Sequence, residues 1–252
     1  VALNKETKSA FHEAILANKV EKLSPVFLDY EKDIQKFTMK SDIEVLYTPN
    51  TENDLFMLYY LSDAGTNNDP RLQAAVEYLE YLGTGDLSAE DVKKEFYKLG
   101  SNFGVFAAED RTYIYLQGLN ENMEKSVELF EKLLAQAQPD DEALQKMIDG
   151  NFKERDDQKK DKSAILWQGL LNYGLYGPQS PFTNVLTNKQ LRELKSAELT
   201  ELIRGFTRMQ HRVLYYGPRS GKDLVALLDQ YHQVPDQLTP VPPAVNFAMA
   251  DM

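Results

Sequence analysis

Residues 69–118 read DPRLQAAVEYLEYLGTGDLSAEDVKKEFYKLGSNFGVFAAEDRTYIYLQG, and this stretch decides the fold. Asp69 is a good N-cap and Pro70 a good first helical residue, so a helix begins there. Gly83 ends it, because glycine takes the left-handed conformation that closes helices. Ser88 opens a second helix, with Asp91 answering it in a capping-box arrangement, and Leu99-Gly100 closes that one. The pattern then changes to strict alternation. Phe103, Val105 and Ala107 alternate with Asn102, Gly104 and Phe106, and residues 112–116 alternate again after the polar Glu109-Asp110 turn, which predicts an antiparallel hairpin.

The first helix has two usable faces. At about 100° per residue, Leu72, Ala75, Val76, Leu79 and Leu82 share one arc, while Ala74, Glu77, Tyr78 and Tyr81 fall opposite. A helix with a core stripe behind and tyrosines plus a carboxylate in front is covered on both sides or faces a chamber.

Residues 74–84, AAVEYLEYLGT, resemble the helix of the insulinase and pitrilysin-like zinc metallopeptidases, where an H-x-x-E-H motif is followed by Gly-Thr or Gly-Ser. Anchoring on Gly83-Thr84 puts Ala74 at the first histidine, Glu77 at the catalytic glutamate and Tyr78 at the second histidine. The continuation is similar too: the Phe96–Gly100 helix end, the Ser101-Asn102-Phe103 strand start, and Glu109-Asp110-Arg111-Thr112-Tyr113. Glu154 stands where the resemblance implies the third metal ligand, a glutamate on a later helix. A catalytic zinc of this kind needs three protein ligands and an open position for water. Alanine and tyrosine do not replace neutral imidazoles, so the resemblance implies a non-catalytic member of the fold, with no metal in this chain.

The composition narrows the classes further. Of 252 residues, 42% are hydrophobic, enough for a substantial core. A net charge of −11 argues against nucleic-acid or anionic-membrane partners and leaves neutral or basic peptides possible. There is no cysteine, hence no disulfide framework, thiolate nucleophile or cysteine zinc site, and both bacterial periplasm and cytoplasm are compatible. No apolar run reaches the roughly 18 residues of a membrane span. The valine start, and a proline-rich end followed by the strand-like VNFAM at 245–249, read as a piece of a larger protein.

Along the chain, residues 4–22 predict an N-terminal helix and residues 23–42 a surface linker. Residues 43–47 and 55–61 are strands; the second, LFMLYYL, is apolar throughout and is expected to be central and buried on both faces. Helices follow from Asn120 to Pro139 and from Asp140 to about Lys160, the latter carrying Lys153, Arg155, Lys159 and Lys160, read as a solvated face with a basic substrate patch as the sharper alternative. Residues 163–176, with Trp167, predict a helix packed against the rest. Thr187 with Gln190 gives another capping box, and residues 196–208 an amphipathic helix. A strand over 210–217 and a helix over 222–231 close the pattern. Gly217–Asp223 is not a phosphate loop, since the Walker spacing needs four residues between its glycines and a hydroxyl after the lysine. His12, His211 and His232 have no partner at metal-ligand spacing.

The element order predicts an α+β fold, a mostly antiparallel sheet with helices packed on one side, matching an insulinase-like metallopeptidase domain. The expected organisation is a helix and linker over 1–42, the non-catalytic domain over 43–232, and a proline-rich linker over 233–252 leading to a further domain. The resemblance implies part of the substrate chamber of a larger zinc endopeptidase, with zinc in the catalytic half of the same polypeptide as partner and peptides as substrates. It also implies that Asn102, Phe103, Gly104, Val105 and Phe106 pair with an extended peptide by strand addition. A structural or assembly subunit with the degenerate fold is the alternative; an enzyme using another site finds no nucleophile–base pair, metal cluster or nucleotide loop here.

Overall fold

Strand β6, Arg212–Gly217, lies between β2 (Ile43–Pro49) and β3 (Leu55–Ser62), strands far earlier in the chain, and this insertion defines the sheet. The computed structural model describes residues 8–19, 23–25 and 27–249 and separates two units, Val1–Asp33 and Ile34–Met252. The first holds helix α1, Ala10–Ala17, capped by the Ser9 hydroxyl on the His12 amide, and the short α2, Tyr30–Asp33. The rest of the helix expected over 4–22 lies partly outside the described residues.

In the second unit the chain runs through β1 (Gln35–Met39), β2 (Ile43–Pro49), β3 (Leu55–Ser62), α3 (Arg71–Leu79), α4 (Ala89–Lys98), β4 (Ser101–Ala107) and β5 (Thr112–Leu119). Helices α5 (Met123–Gln136) and α6 (Asp141–Gln158) follow, then a π-helical stretch, Ala164–Leu170, that runs into α7 (Leu171–Tyr176). After α8 (Asn188–Glu193) and α9 (Ser196–Phe206) come β6 and α10 (Gly221–Tyr231). The six strands are ordered β1-β2-β6-β3-β5-β4, with β2–β6 parallel and every other pair antiparallel. This is the expected α+β architecture.

Alternation puts Ile43, Val45 and Tyr47, Phe56, Leu58 and Tyr60, Ile114 and Leu116, and Val213 and Tyr215 on one buried face. Helices α3, α5, α9 and α10 bring Leu79, Phe130, Ile203 and Leu224 to the same core. At roughly 25 cal/mol per Å² of apolar surface removed from water, this face is the main stabilising contact of the unit. The other face is only half covered: Met57, Tyr59 and Leu61 are of intermediate exposure, so β3 is central as expected but not buried on both faces. Tyr59 instead joins Tyr113, Tyr115 and Phe106 in a row of rings 4.9–5.7 Å apart on the open side.

Three further expectations are corrected. The segment expected as linker contains β1, which pairs with β2 through a turn in which Ser41 and Asp42 adopt positive φ of 60° and 56°. Neither is glycine or asparagine, so the usual hairpin signal is missing. The turn is held from outside, by Lys40 N–H on Asp229 Oδ1 (2.9 Å) and the Ser41 hydroxyl on Pro235 O (2.6 Å). Gly83 does not have positive φ; it is needed because a Cβ there would stand 2.2 Å from the Leu87 carbonyl oxygen. Residues 245–249 form no strand, although Val245 N–H reaches Asn67 O at 2.8 Å.

The core also holds a polar chain that the residue spacing does not reveal. Tyr60 O–H donates to Glu131 Oε1 (2.5 Å), His232 Nδ1 lies 2.9 Å from the same oxygen, and the Nε2 atoms of His232 and His211 are 2.9 Å apart. His211 Nδ1 is 2.7 Å from the Met209 carbonyl, which only accepts, so that nitrogen carries the hydrogen. Neutral His211 then accepts at Nε2 and His232 donates, leaving one proton held between His232 and the Glu131 carboxylate. Every member is buried, and the chain ties β3, α5, the entry to β6 and the end of α10 together.

Burial, with the neighbouring His232, lowers the His211 pKa from 6.5 to about 4. Between those values the unfolded chain binds the extra proton and the folded one does not, so the contribution of His211 to stability falls as pH drops from 6.5 towards 4 and is constant below. The loss amounts to on the order of 3 kcal/mol. Thermal unfolding of the wild type and His211→Gln from pH 7 to 4 should show a flatter pH dependence in the variant; parallel curves would show that His211 does not control this window.

Candidate functional site

The positions matching the peptidase motif lie on α3, and the structure shows what each now does. Asp69 starts the helix, its Oδ1 accepting the Arg71 amide at 2.9 Å. Both faces are covered, as expected: α3 packs against α9 and β4 and meets α6. Ala74 is buried and has no side-chain donor. Tyr78 is fully buried, and its hydroxyl donates to Asp140 O (2.6 Å) while accepting from Asp140 N–H (2.7 Å). Asp140 is the N-cap of α6, its Oδ1 accepting the Ala143 amide. The Tyr78 side chain thus fastens the start of α6 to the last turn of α3.

Glu77 keeps its carboxylate, half buried, with Gln73 Nε2 donating to Oε1 at 2.9 Å and the Asn151 side chain also hydrogen-bonded to it. Burial raises its pKa against those hydrogen bonds, and the charge of Glu154 raises it further. Glu154 is thus close enough for its charge to be felt at Glu77, but it is exposed and hydrogen-bonded by Gln158. Two carboxylates beside an alanine and an occupied hydroxyl do not suit zinc, which needs imidazole or thiolate donors in such a site. Among the described residues no group of three His, Cys, Asp or Glu side chains is placed to hold a metal ion.

Strand β4, carrying Asn102 to Phe106, is the outer strand of the sheet on the side of α3. Phe103 turns inward, 5.3 Å from Phe96 and 6.0 Å from Phe130, while Asn102 and Phe106 are exposed. Gly104 lies directly under the Tyr115 ring: a Cβ would stand 2.4 Å from the Tyr115 hydroxyl, so no larger residue fits without moving it. Of the basic residues on and just beyond α6, Lys159 pairs with Asp156, Lys160 pairs with Asp157, Arg155 donates to Asn188, and Lys153 is exposed. They form a solvated face. In the 217–223 turn the glycines serve packing, Gly221 against Phe37 and Gly217 against Tyr215, and Ser220 caps α10.

Helix 164–176 departs most from expectation. It is not packed against the rest: neither the π-helical stretch nor α7 has a buried residue, and Trp167 is 64% exposed. Its apolar residues surround the axis instead of forming a stripe, so their number signalled burial without naming a face.

Tyr78→Phe removes both hydrogen bonds to Asp140 and leaves the ring in place. It should cost about 1 kcal/mol of unfolding free energy, measured by urea titration, with metal content unchanged. A larger loss of metal than of stability would mean that the hydroxyl is a ligand.

No protein-family profile matches the chain. Mitochondrial-processing peptidase subunit beta of Neurospora crassa is 20% identical over 203 residues, covering 78% of this chain and 42% of its own length. Cytochrome b-c1 complex subunit 1 of Bos taurus is 21% identical over 128 residues, covering 51% of this chain and 27% of its own. The chain thus spans less than half the length of these curated relatives. Among solved structures, the peptidase M16 inactive domain from Pseudomonas fluorescens superposes with a TM-score of 0.67 at 19% identity, over 85% of this chain and 52% of that one. The periplasmic protease PqqL from Escherichia coli gives 0.71 at 14% identity, over 96% of this chain and 29% of that one. The chain therefore has the fold of an insulinase-like, M16 peptidase domain.

Proposed function

We propose that this chain is a non-catalytic domain of a larger zinc metalloendopeptidase, forming part of its substrate chamber and contacting its catalytic half, where the zinc resides. The observation that carries this reading is Tyr78. The fold of the peptidase is kept, and in this reading one ligand position is filled by the packed Ala74 methyl group and the other by the Tyr78 phenol engaged in holding α6. Glu77 survives as a half-buried carboxylate satisfied by amides. In this reading the domain works on peptides by binding, and Asn102, Phe103, Gly104, Val105 and Phe106 take an extended segment along the outer strand. Support comes from the position of β4 at the sheet edge beside α3.

A second reading, a structural subunit of an assembly without any proteolytic role, is favoured by the likeness to the bovine cytochrome b-c1 complex subunit. Hydrogen exchange separates the two. With an excess of an unstructured peptide, amides of residues 102–106 should exchange more slowly if the edge takes substrate; unchanged exchange supports the structural subunit. In parallel, the dialysed protein should contain background zinc and cleave nothing alone, with cleavage appearing when the catalytic half is added. Stoichiometric zinc or autonomous cleavage would overturn both readings.

A further inference from the structure

Residues 163–188 contain no Asp, Glu, Lys or Arg, in a chain of which 27% is charged. The middle of this run is the π-helical stretch and α7, where no residue is buried. A helix apolar on all sides is ordinarily a buried one. Trp167, Leu166, Leu170 and Tyr173 on the helix, with Phe182 and Val185 beyond it, are all exposed. Together they leave on the order of 700 Å² of side chain open, close to the roughly 800 Å² that each partner contributes to a standard protein–protein interface. The largest apolar patch of an ordinary monomer is about 300–600 Å².

The surface is built, not frayed. At its far end Ser180 is buried and closes a capping box with Thr183, and Asn184 Nδ2 reaches Thr66 O (3.2 Å) and Asn67 Oδ1 (3.1 Å). Within the helix, Gly169 and Gly174 stand over open space, the first with only a Phe182 ring atom at 3.9 Å from its would-be Cβ. Glycine inside a helix costs on the order of 1 kcal/mol relative to alanine, and among the described residues only the Phe182 ring edge comes near the room these two leave. A second backbone coming close would use it.

We propose that helix 164–176, with Phe182 and Val185, is a homodimer interface, occupied by the same helix of a second copy of this chain. Three observations select that occupant. The area matches what a stable dimer needs. The absence of charge and the wealth of apolar and aromatic side chains match the homodimer class, whose interfaces are more apolar than those of transient complexes. A chain of net charge −11 meets itself at low electrostatic cost only through an uncharged patch, and a two-fold contact lays such a patch on itself. Trp167 and Tyr173 are the anchors, the residue types that carry most interface energy.

Trp167 is the only tryptophan and so reports on its own interface. Light scattering at tens of micromolar should give twice the 28.8 kDa of the chain, with Trp167 emission shifted to the blue and acrylamide quenching reduced several-fold relative to high dilution. Leu170→Glu together with Tyr173→Glu should halve the mass and restore quenching with far-UV circular dichroism unchanged, the helix having no buried residue to lose. A monomer at these concentrations, whether Trp167 is freely quenched or shielded within one molecule, would overturn the proposal. So would a dimer that survives both substitutions.

Discussion

The sheet exists as one sheet only because β6 enters between β2 and β3. Without it the β1–β2 hairpin and the β3-β5-β4 group share no ladder. The inserted strand pairs parallel on one side and antiparallel on the other, so the turn over residues 50–54 spans two strand spacings, about 9.5 Å, in place of a tight hairpin. Asn50 makes that possible. Its amide bonds Asn53 Oδ1 and Leu55 O, and its carbonyl accepts from Glu52, Asn53 and the Tyr216 hydroxyl of the inserted strand.

What surrounds β6 follows from that insertion. The chain enters through Met209 and His211 and leaves into α10, which ends on His232, so the two histidines meet because both flank the same strand unit. Glu131 of α5 and Tyr60 of β3 complete the polar chain beneath it. A buried carboxylate left alone would be costly, but here each of the four side chains has a hydrogen-bond partner, and the set specifies one arrangement of four elements. Thr239 bonds back to Arg208 and Gln210 across the same entry, so the irregular segment after α10 also depends on β6.

The degenerate site follows the same economy of packing. The sequence resemblance sets Ala74 and Tyr78 against the two histidines of the peptidase motif. Here a methyl and a phenol occupy those places, and the phenol bonds the backbone at the start of α6. The carboxylates remain near one another because α3 and α6 remain packed, which is a property of the fold and not of zinc. Covering only one face of the sheet leaves an aromatic row on the other, and leaves β4 as an outer strand.

Much of this was legible in residues 69–118. Caps at Asp69 and Ser88, the change from helical to alternating period, and the Glu109-Asp110 turn are local signals, and local backbone preference decides them. The match of Ala74, Glu77 and Tyr78 to the peptidase motif rests on the sequence spacing to Gly83-Thr84. What remained hidden depended on distant parts of the chain. Strand β1 is short and polar, and its turn has left-handed Ser41 and Asp42 held by Asp229 and Pro235. Gly83 looked like a helix stop and proved to be a close approach to Leu87. His211 and His232 are separated by a strand and a helix, so only folding places their nitrogens 2.9 Å apart. The uncharged run around Trp167 announced burial by its composition, yet which surface covers it is decided in three dimensions. Residue type states how much apolar surface a segment carries, while the tertiary structure decides how much of it the chain itself can cover.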